Sequence, residues 1–110
     1  MIDPDSVDEI RGQYEKHGWI LRRVLLSSPV SLADHAIFGS TEIRQAGIDA
    51  LWFSRRSQPG REAWELRRIS GSPFALVQVI DDESDVGERE SILRETEFRM
   101  ASAAAGPASH

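Results

Sequence analysis

The segment from Asp49 to Ile80 restricts the fold more than any other part of the chain. It holds three runs rich in aromatic, leucine and β-branched residues, separated by Gln-Pro-Gly-Arg and Ser-Gly-Ser-Pro. Short apolar runs bounded by such turn sequences are typical of strands joined by tight hairpins. The segment therefore predicts a meander of three antiparallel strands.

The two turns also predict the register of the strands. The Pro-Gly turn places Trp52 opposite Arg67, and the Gly-Ser turn places Leu66 opposite Val77. These two pairings, derived separately, assign the same side chains to the same face. A bulge in the first loop, which would relieve the unfavourable twist of a type II turn in a hairpin, would shift the pairings by one residue.

The predicted register divides the meander into two different faces. The core face contains Leu51, Phe53, Trp64, Leu66, Ala75, Val77 and Val79, with Arg55 and Arg68 near its edges. The second face contains Trp52, Ser54, Arg56, Glu65, Arg67, Leu76, Gln78 and Ile80, with Ile69 and Phe74 at one end. An open sheet face normally carries short polar and charged residues, whereas tryptophan and arginine are enriched at interface hot spots. We therefore predict a binding face formed by Trp52, Arg56, Glu65, Arg67 and Gln78, with the Arg67 guanidinium near the Trp52 indole.

The part of the chain before the meander predicts two helices and a strand. A helix over residues 5–17 has capping residues at its start and a glycine directly after it. The apolar run over residues 19–26 favours a strand, with a short buried helix as the alternative. Ser31 caps a second short helix that ends at Phe38. Residues 41–46 are interpreted as one more helical turn.

A third helix follows the meander. Asp85 and Glu88 have the spacing of a capping box, and the apolar stripe of this helix ends at Met100. The alanine-rich residues 101–110 are expected to form a disordered tail.

Together these elements predict a single α+β domain over residues 1–100. Its architecture is a two-layer sandwich, in which the N- and C-terminal helices pack on one face of a four-stranded antiparallel sheet. The sheet consists of the meander, residues 49–80, and the strand over residues 19–26.

The charge of the chain is unevenly distributed, although its net value is −5. Residues 18–80 contain eight arginines against five acids, whereas both flanking segments are acidic. A basic sheet beside acidic helices accounts for this pattern more simply than a nucleic-acid-binding surface, which normally has a net basic footprint.

The chain contains no motif that indicates a reaction, a metal or a cofactor. Asp81, Glu83 and Asp85 alternate as in a calcium loop, but Val86 stands where the loop needs glycine and Ile92 where it needs glutamate. The histidines lack metal-ligand spacing, and no nucleophile elbow, P-loop or dinucleotide fingerprint is present. We therefore predict no catalytic residue, no metal ligand and no cofactor.

The predicted binding face leads to three functional hypotheses. The first is non-catalytic protein association, as a homodimer or an accessory subunit. The second is binding of single-stranded nucleic acid or another anion by the same tryptophan and arginines, and the third is a small enzyme without a recognisable motif. Alternatively, the first strand, the linker over residues 27–47 or the C-terminal tail covers this face and makes it a second, minor core. The absence of cysteine and of any apolar run near 20 residues favours a cytoplasmic protein outside the membrane.

Overall fold

The computed structural model describes residues 4–69 and 74–105, except for the side chains of residues 104 and 105. The elements in chain order are α1 Pro4–Lys16, β1 Ile20–Leu26, α2 Leu32–Phe38, β2 Glu42–Gln45, β3 Ala50–Gln58, β4 Arg61–Arg68, β5 Ala75–Asp81 and α3 Val86–Ala105. Within these residues the strands form one five-stranded sheet in the order β2-β1-β3-β4-β5. The predicted α+β class is confirmed.

The sheet is mixed, which corrects the predicted four-stranded antiparallel sheet. The extra strand is β2, which pairs parallel to β1 from Arg23 opposite Glu42 to Leu26 opposite Gln45. It occupies the segment interpreted as a helical turn. The helix α2 supplies the crossover that a parallel pair of strands needs. The hydrogen bonds that β2 makes with β1 outweigh the weak helical propensity of this short segment.

The predicted register of the meander is wrong by one residue. The Pro-Gly turn forms as expected, with Gln58 opposite Arg61 and Gly60 at a φ of 80°. The register then shifts between Arg56 and Gln58, so that Trp52 lies opposite Leu66 instead of Arg67. A bulge gives one strand an extra residue and thereby changes every later pairing.

The second hairpin differs from the prediction by one residue as well. Leu66 lies opposite Leu76 instead of Val77. The predicted Gly-Ser turn itself falls outside the described residues. Adjacent side chains of a strand alternate between its two faces. As a result of the shift, Trp64 and Leu66 lie on the same face as Trp52. Glu65 and Arg67 lie on the other face, with Phe53.

Helices cover both faces of the sheet, which corrects the predicted packing on one face only. On the face of α3, the core contains Leu25, Ile48, Ala50, Trp52, Trp64, Leu66, Ile80, Leu93 and Met100. On the face of α1 and α2, it contains Val7, Leu21, Val24, Leu26, Phe38, Leu51 and Phe53. The central strand β3 therefore begins with consecutive buried residues, as a strand between two packed layers should.

A bulge in β1 places two neighbouring arginines on the same face. The register shifts between Leu21 and Arg23, so Arg22 is the extra residue. Its guanidinium donates to Ser54 Oγ at 2.9 Å and lies 4.6 Å from the centre of the Trp64 ring. Regular alternation would have placed these arginines on opposite faces.

The second of these arginines, Arg23, is the buried centre of an ion-pair network whose other members are partly exposed. It is 7% exposed and donates to Glu42 of β2 at 3.0 Å and to Glu90 of α3 at 2.9 Å. Arg44 contacts the same two carboxylates, at 2.7 Å and 3.4 Å respectively. The network joins β1, β2 and α3 on one side of the sheet.

The predicted helix ends are confirmed where local signals are strong. Ser31 and Asp34 form both hydrogen bonds of a capping box at α2. Asp85 and Glu88 do the same at α3, and Gly18, two residues after the end of α1, has a positive φ of 87°. The last helix continues to Ala105, through the first half of the segment predicted as a tail. In the described part of the chain, no helix is both long enough and apolar enough to cross a membrane.

Candidate functional site

The structure distributes the five predicted site residues over both faces of the sheet. Trp52 is fully buried, and its Nε1 donates to Glu97 of α3 at 2.8 Å. The chain itself therefore covers this residue, but with α3 and not with the strand, linker or tail that the alternative named, and the ring has no free face for a base to stack on. Gln78 is half-buried on the same side, opposite Trp64, and the exposed Arg56 forms an ion pair with Asp82.

The remaining two residues, Glu65 and Arg67, lie on the face of α1. Arg67 donates to the carbonyl of its neighbour Arg68 and is separated from Trp52 by the sheet. The predicted pairing of Trp52 with Arg67 does not form, because the bulge in β3 changed the partner. Of the five, only Glu65 belongs to the pocket described next.

A pocket of about 490 Å³ opens between the C-terminal half of α1 and the sheet. Its walls are Gln13, Tyr14, His17, Trp19, Arg55 and Glu65. The last turn of α1 supplies Gln13 and Tyr14, and His17 follows directly after the helix. The sequence analysis missed this pocket, since it became visible only once Arg55 and Glu65 were placed on the face of α1.

Tyr14 and Glu65 form the inner wall of the pocket. The Tyr14 ring stacks on Phe53 with the centroids 4.1 Å apart and an interplanar angle of 8°, and its hydroxyl donates to the Glu65 carboxylate. Burial raises the pKa of Tyr14 well above its usual value of 10.0, and the hydrogen bond and charge of Glu65 raise it further. Tyr14 is thus a neutral donor at physiological pH, and Glu65 is its acceptor.

Arg55 and Trp19 form the outer wall. The Arg55 guanidinium lies 4.9 Å from the centre of the Trp19 ring and donates to the His17 carbonyl at 2.8 Å. The Trp19 ring meets Tyr14 edge-on at 5.9 Å. The aromatic contacts and the backbone hydrogen bond hold the guanidinium at the mouth of the pocket.

A second distinctive surface is the outer edge of β5. This strand is last in the order of the described strands, and its sequence, Ala-Leu-Val-Gln-Val-Ile-Asp, contains neither the lysine nor the proline that often protects an edge. Val77 and Val79 are 53% and 55% exposed. The opposite edge strand, β2, is only four residues long and carries Glu42 and Arg44, so it is the protected edge.

Comparisons with protein-family models, with curated proteins and with solved structures found no match. Within residues 4–69 and 74–105, no group of three or more histidine, aspartate or glutamate side chains is placed to hold a metal ion.

Proposed function

We propose that the protein works by non-catalytic self-association, in which β5 of one copy pairs antiparallel with β5 of a second copy. The observation that supports this most directly is the exposed, self-complementary edge of β5. The proposal retains the leading hypothesis from the sequence, with the cytoplasm as the location, but transfers the contact from the Trp52 face to the β5 edge.

The backbone N–H and C=O groups of β5 alternate in direction as this pairing requires. The Arg68 N–H donates to the Phe74 carbonyl at 2.9 Å, and the ladder between β4 and β5 is regular. The even-numbered residues of β5 therefore direct their backbone groups towards β4, because these groups alternate along an antiparallel strand. The N–H and C=O groups of Val77 and Val79 point to the outer edge, where none of the described strands pairs with them.

The side chains favour one register about a two-fold axis at Gln78. In that register Val77 of one copy lies opposite Val79 of the other, and Leu76 lies opposite Ile80. Each face thus receives matched apolar pairs, which contribute roughly 0.2–1 kcal/mol apiece relative to alanine. Asp81 lies opposite Ala75, so no like charges meet. The contact is isologous, as the interface of a two-fold dimer must be.

Sedimentation equilibrium at about 10–200 μM measures this association directly. We expect a mass of twice 12.3 kDa at the upper concentrations. Val77→Lys should yield a folded monomer, since the side chain is exposed and the lysine protects the edge. Val86→Lys is the matched control, because Val86 is 65% exposed at the start of α3 and should leave the dimer intact.

A charge-swap experiment tests the register itself. Val77→Lys and Val79→Glu chains should each be monomeric alone and should associate when mixed, because the lysine of one faces the glutamate of the other. A wild-type protein that stays monomeric at about 200 μM would refute the proposal. So would a dimer that Val77→Lys weakens no more than Val86→Lys does.

A further inference from the structure

The pocket beneath α1 contains two opposite charges that do not neutralise each other. Arg55 pairs with Ala63 and Phe53 pairs with Glu65, so Arg55 and Glu65 are diagonal neighbours on one face, roughly 7–8 Å apart at the backbone. Such a pair is within reach of a salt bridge, yet both described side chains have other partners. Arg55 donates to the His17 carbonyl, and Glu65 accepts from Tyr14.

Both charged groups line the pocket and retain hydrogen-bonding capacity. A carboxylate offers about four lone-pair sites, and Tyr14 uses one of those on Glu65. A guanidinium has five N–H donors, and the His17 carbonyl accepts from one nitrogen of Arg55. The pocket thus presents an acceptor-only group at one wall and a donor-only group at the other.

The space between the charges is lined by aromatic rings. Tyr14 and Trp19 form an edge-to-face pair, and the polar residues Gln13 and His17 also line the pocket. The volume of about 490 Å³ lies within the range of ~300–1,000 Å³ that is common for small-molecule sites. Aromatic walls also suit an ammonium group, which is attracted to the face of a ring.

We propose that this pocket binds a small zwitterion of the α-amino-acid class, with the ligand carboxylate at Arg55 and the ligand ammonium at Glu65. A simple amine would exclude water from the guanidinium without giving it an oppositely charged partner, and a simple carboxylate would do the same to Glu65. Desolvating an unpaired charge is costly, so each of these ligands should bind more weakly than the zwitterion.

Nuclear magnetic resonance titration with L-phenylalanine, L-leucine and L-glutamine tests this assignment. The indole N–H signal of Trp19 should shift on binding, whereas those of Trp52 and Trp64, on the other side of the sheet, serve as internal references. 2-Phenylethylamine lacks the carboxylate and 3-phenylpropanoate lacks the ammonium. Each should bind at least 10-fold more weakly than L-phenylalanine.

Substitutions separate the two ends of the ligand. Arg55→Gln should remove the preference for phenylalanine over 2-phenylethylamine. Glu65→Gln should remove the preference for phenylalanine over 3-phenylpropanoate, while the amide oxygen of the new glutamine still accepts from Tyr14. Arg56→Gln is the matched control on the opposite face of the same strand and should change neither preference. The monomeric Val77→Lys variant should bind normally, because every pocket residue belongs to one copy.

Three results would overturn the assignment. The first is no shift of the Trp19 signal with any of the three amino acids at about 20 mM. The second is equal affinity for phenylalanine and its two half-ligands. The third is an unchanged preference in both Arg55→Gln and Glu65→Gln. A failure of self-association would leave these expectations intact, so the two proposals are tested separately.

Discussion

Replacing Arg23 by methionine tests the ion-pair network that joins β1, β2 and α3 around this buried guanidinium. The arginine is 7% exposed, and its guanidinium lies within 3.0 Å of Glu42 and Glu90. Methionine has a similar length and keeps the apolar packing of the side-chain stem, while it removes both charge-assisted hydrogen bonds. The substitution therefore isolates the polar contribution of the network to the free energy of unfolding.

The expected loss is about 2 kcal/mol. Hydrogen bonds to charged groups contribute ~1.5–3 kcal/mol each, so two of them set an upper limit near ~6 kcal/mol. Two effects reduce it: the buried guanidinium no longer has to be desolvated, and Arg44 still contacts both carboxylates. For a domain of this size a loss of about 2 kcal/mol corresponds to a decrease of roughly 8–16 °C in Tm.

Urea unfolding of a double-mutant cycle provides the measurement. Arg23→Met, Glu90→Gln and the double variant should show a coupling energy of ~1–3 kcal/mol. The exposed pair Arg11 and Glu15 in α1 is the control, for which a coupling of ~0.3–0.5 kcal/mol is expected. If the first coupling is no larger than the second, or if Arg23→Met is neutral, the network does not stabilise the fold as argued.

The same network should make the protein sensitive to acid. Hydrogen bonds from Arg23 lower the pKa of Glu90, and those from Arg44 and Arg23 lower the pKa of Glu42 against the opposing effect of burial. A lowered pKa contributes stability that is present above the usual value of 4.5 and is lost as the pH falls through the lowered pKa. Arg23→Met should therefore have a weaker dependence of unfolding free energy on pH below 4.5 than the wild type.

Two further predictions concern the core and the pocket. Phe53→Ala and Leu66→Ala, one on each face of the sheet, should each lower the free energy of unfolding by ~2–5 kcal/mol, as measured by urea unfolding. Ile20 is 63% exposed, so Ile20→Ala should lower it by less than ~0.5 kcal/mol. A loss below ~1 kcal/mol for either core variant would contradict the assigned burial. Tyr14 is the sole tyrosine, and because the fold raises its pKa it should ionise only as the protein unfolds. Above pH 10.0 the unfolded chain releases this proton and the folded protein does not, so the free energy of unfolding should fall by up to about 1.4 kcal/mol per pH unit. Tyrosinate absorbance that rises near pH 10.0 before the circular dichroism changes would contradict this, and Tyr14→Phe should lack the additional loss.

Features that depend on a few neighbouring residues were predictable from the sequence. The capping boxes at Ser31 and Asp85, the glycine after α1 and the Pro-Gly turn all form as expected. Each is stabilised by hydrogen bonds or dihedral preferences within about four residues, so the local sequence contains the information that specifies it.

The candidate site was less predictable, because it depends on one bulged residue in β3, as the ion-pair network of Arg23 depends on one in β1. The bulge near the end of β3 moved Glu65 to the face of α1 and buried Trp52 beneath α3. The bulge at Arg22 brought two arginines to one face. A bulge costs little locally, and the packing of both faces decides whether it forms.

The sequence by itself determined that this chain forms an α+β domain with a meander between Asp49 and Ile80, because periodicity, turns and caps act over short distances. Only the tertiary structure decided the register, the parallel strand β2 and the side of the sheet on which each helix packs. These depend on contacts between residues far apart in the chain. Because both faces of the sheet are apolar, the local sequence does not determine which face each helix covers. The pocket and the open edge of β5 follow from that outcome.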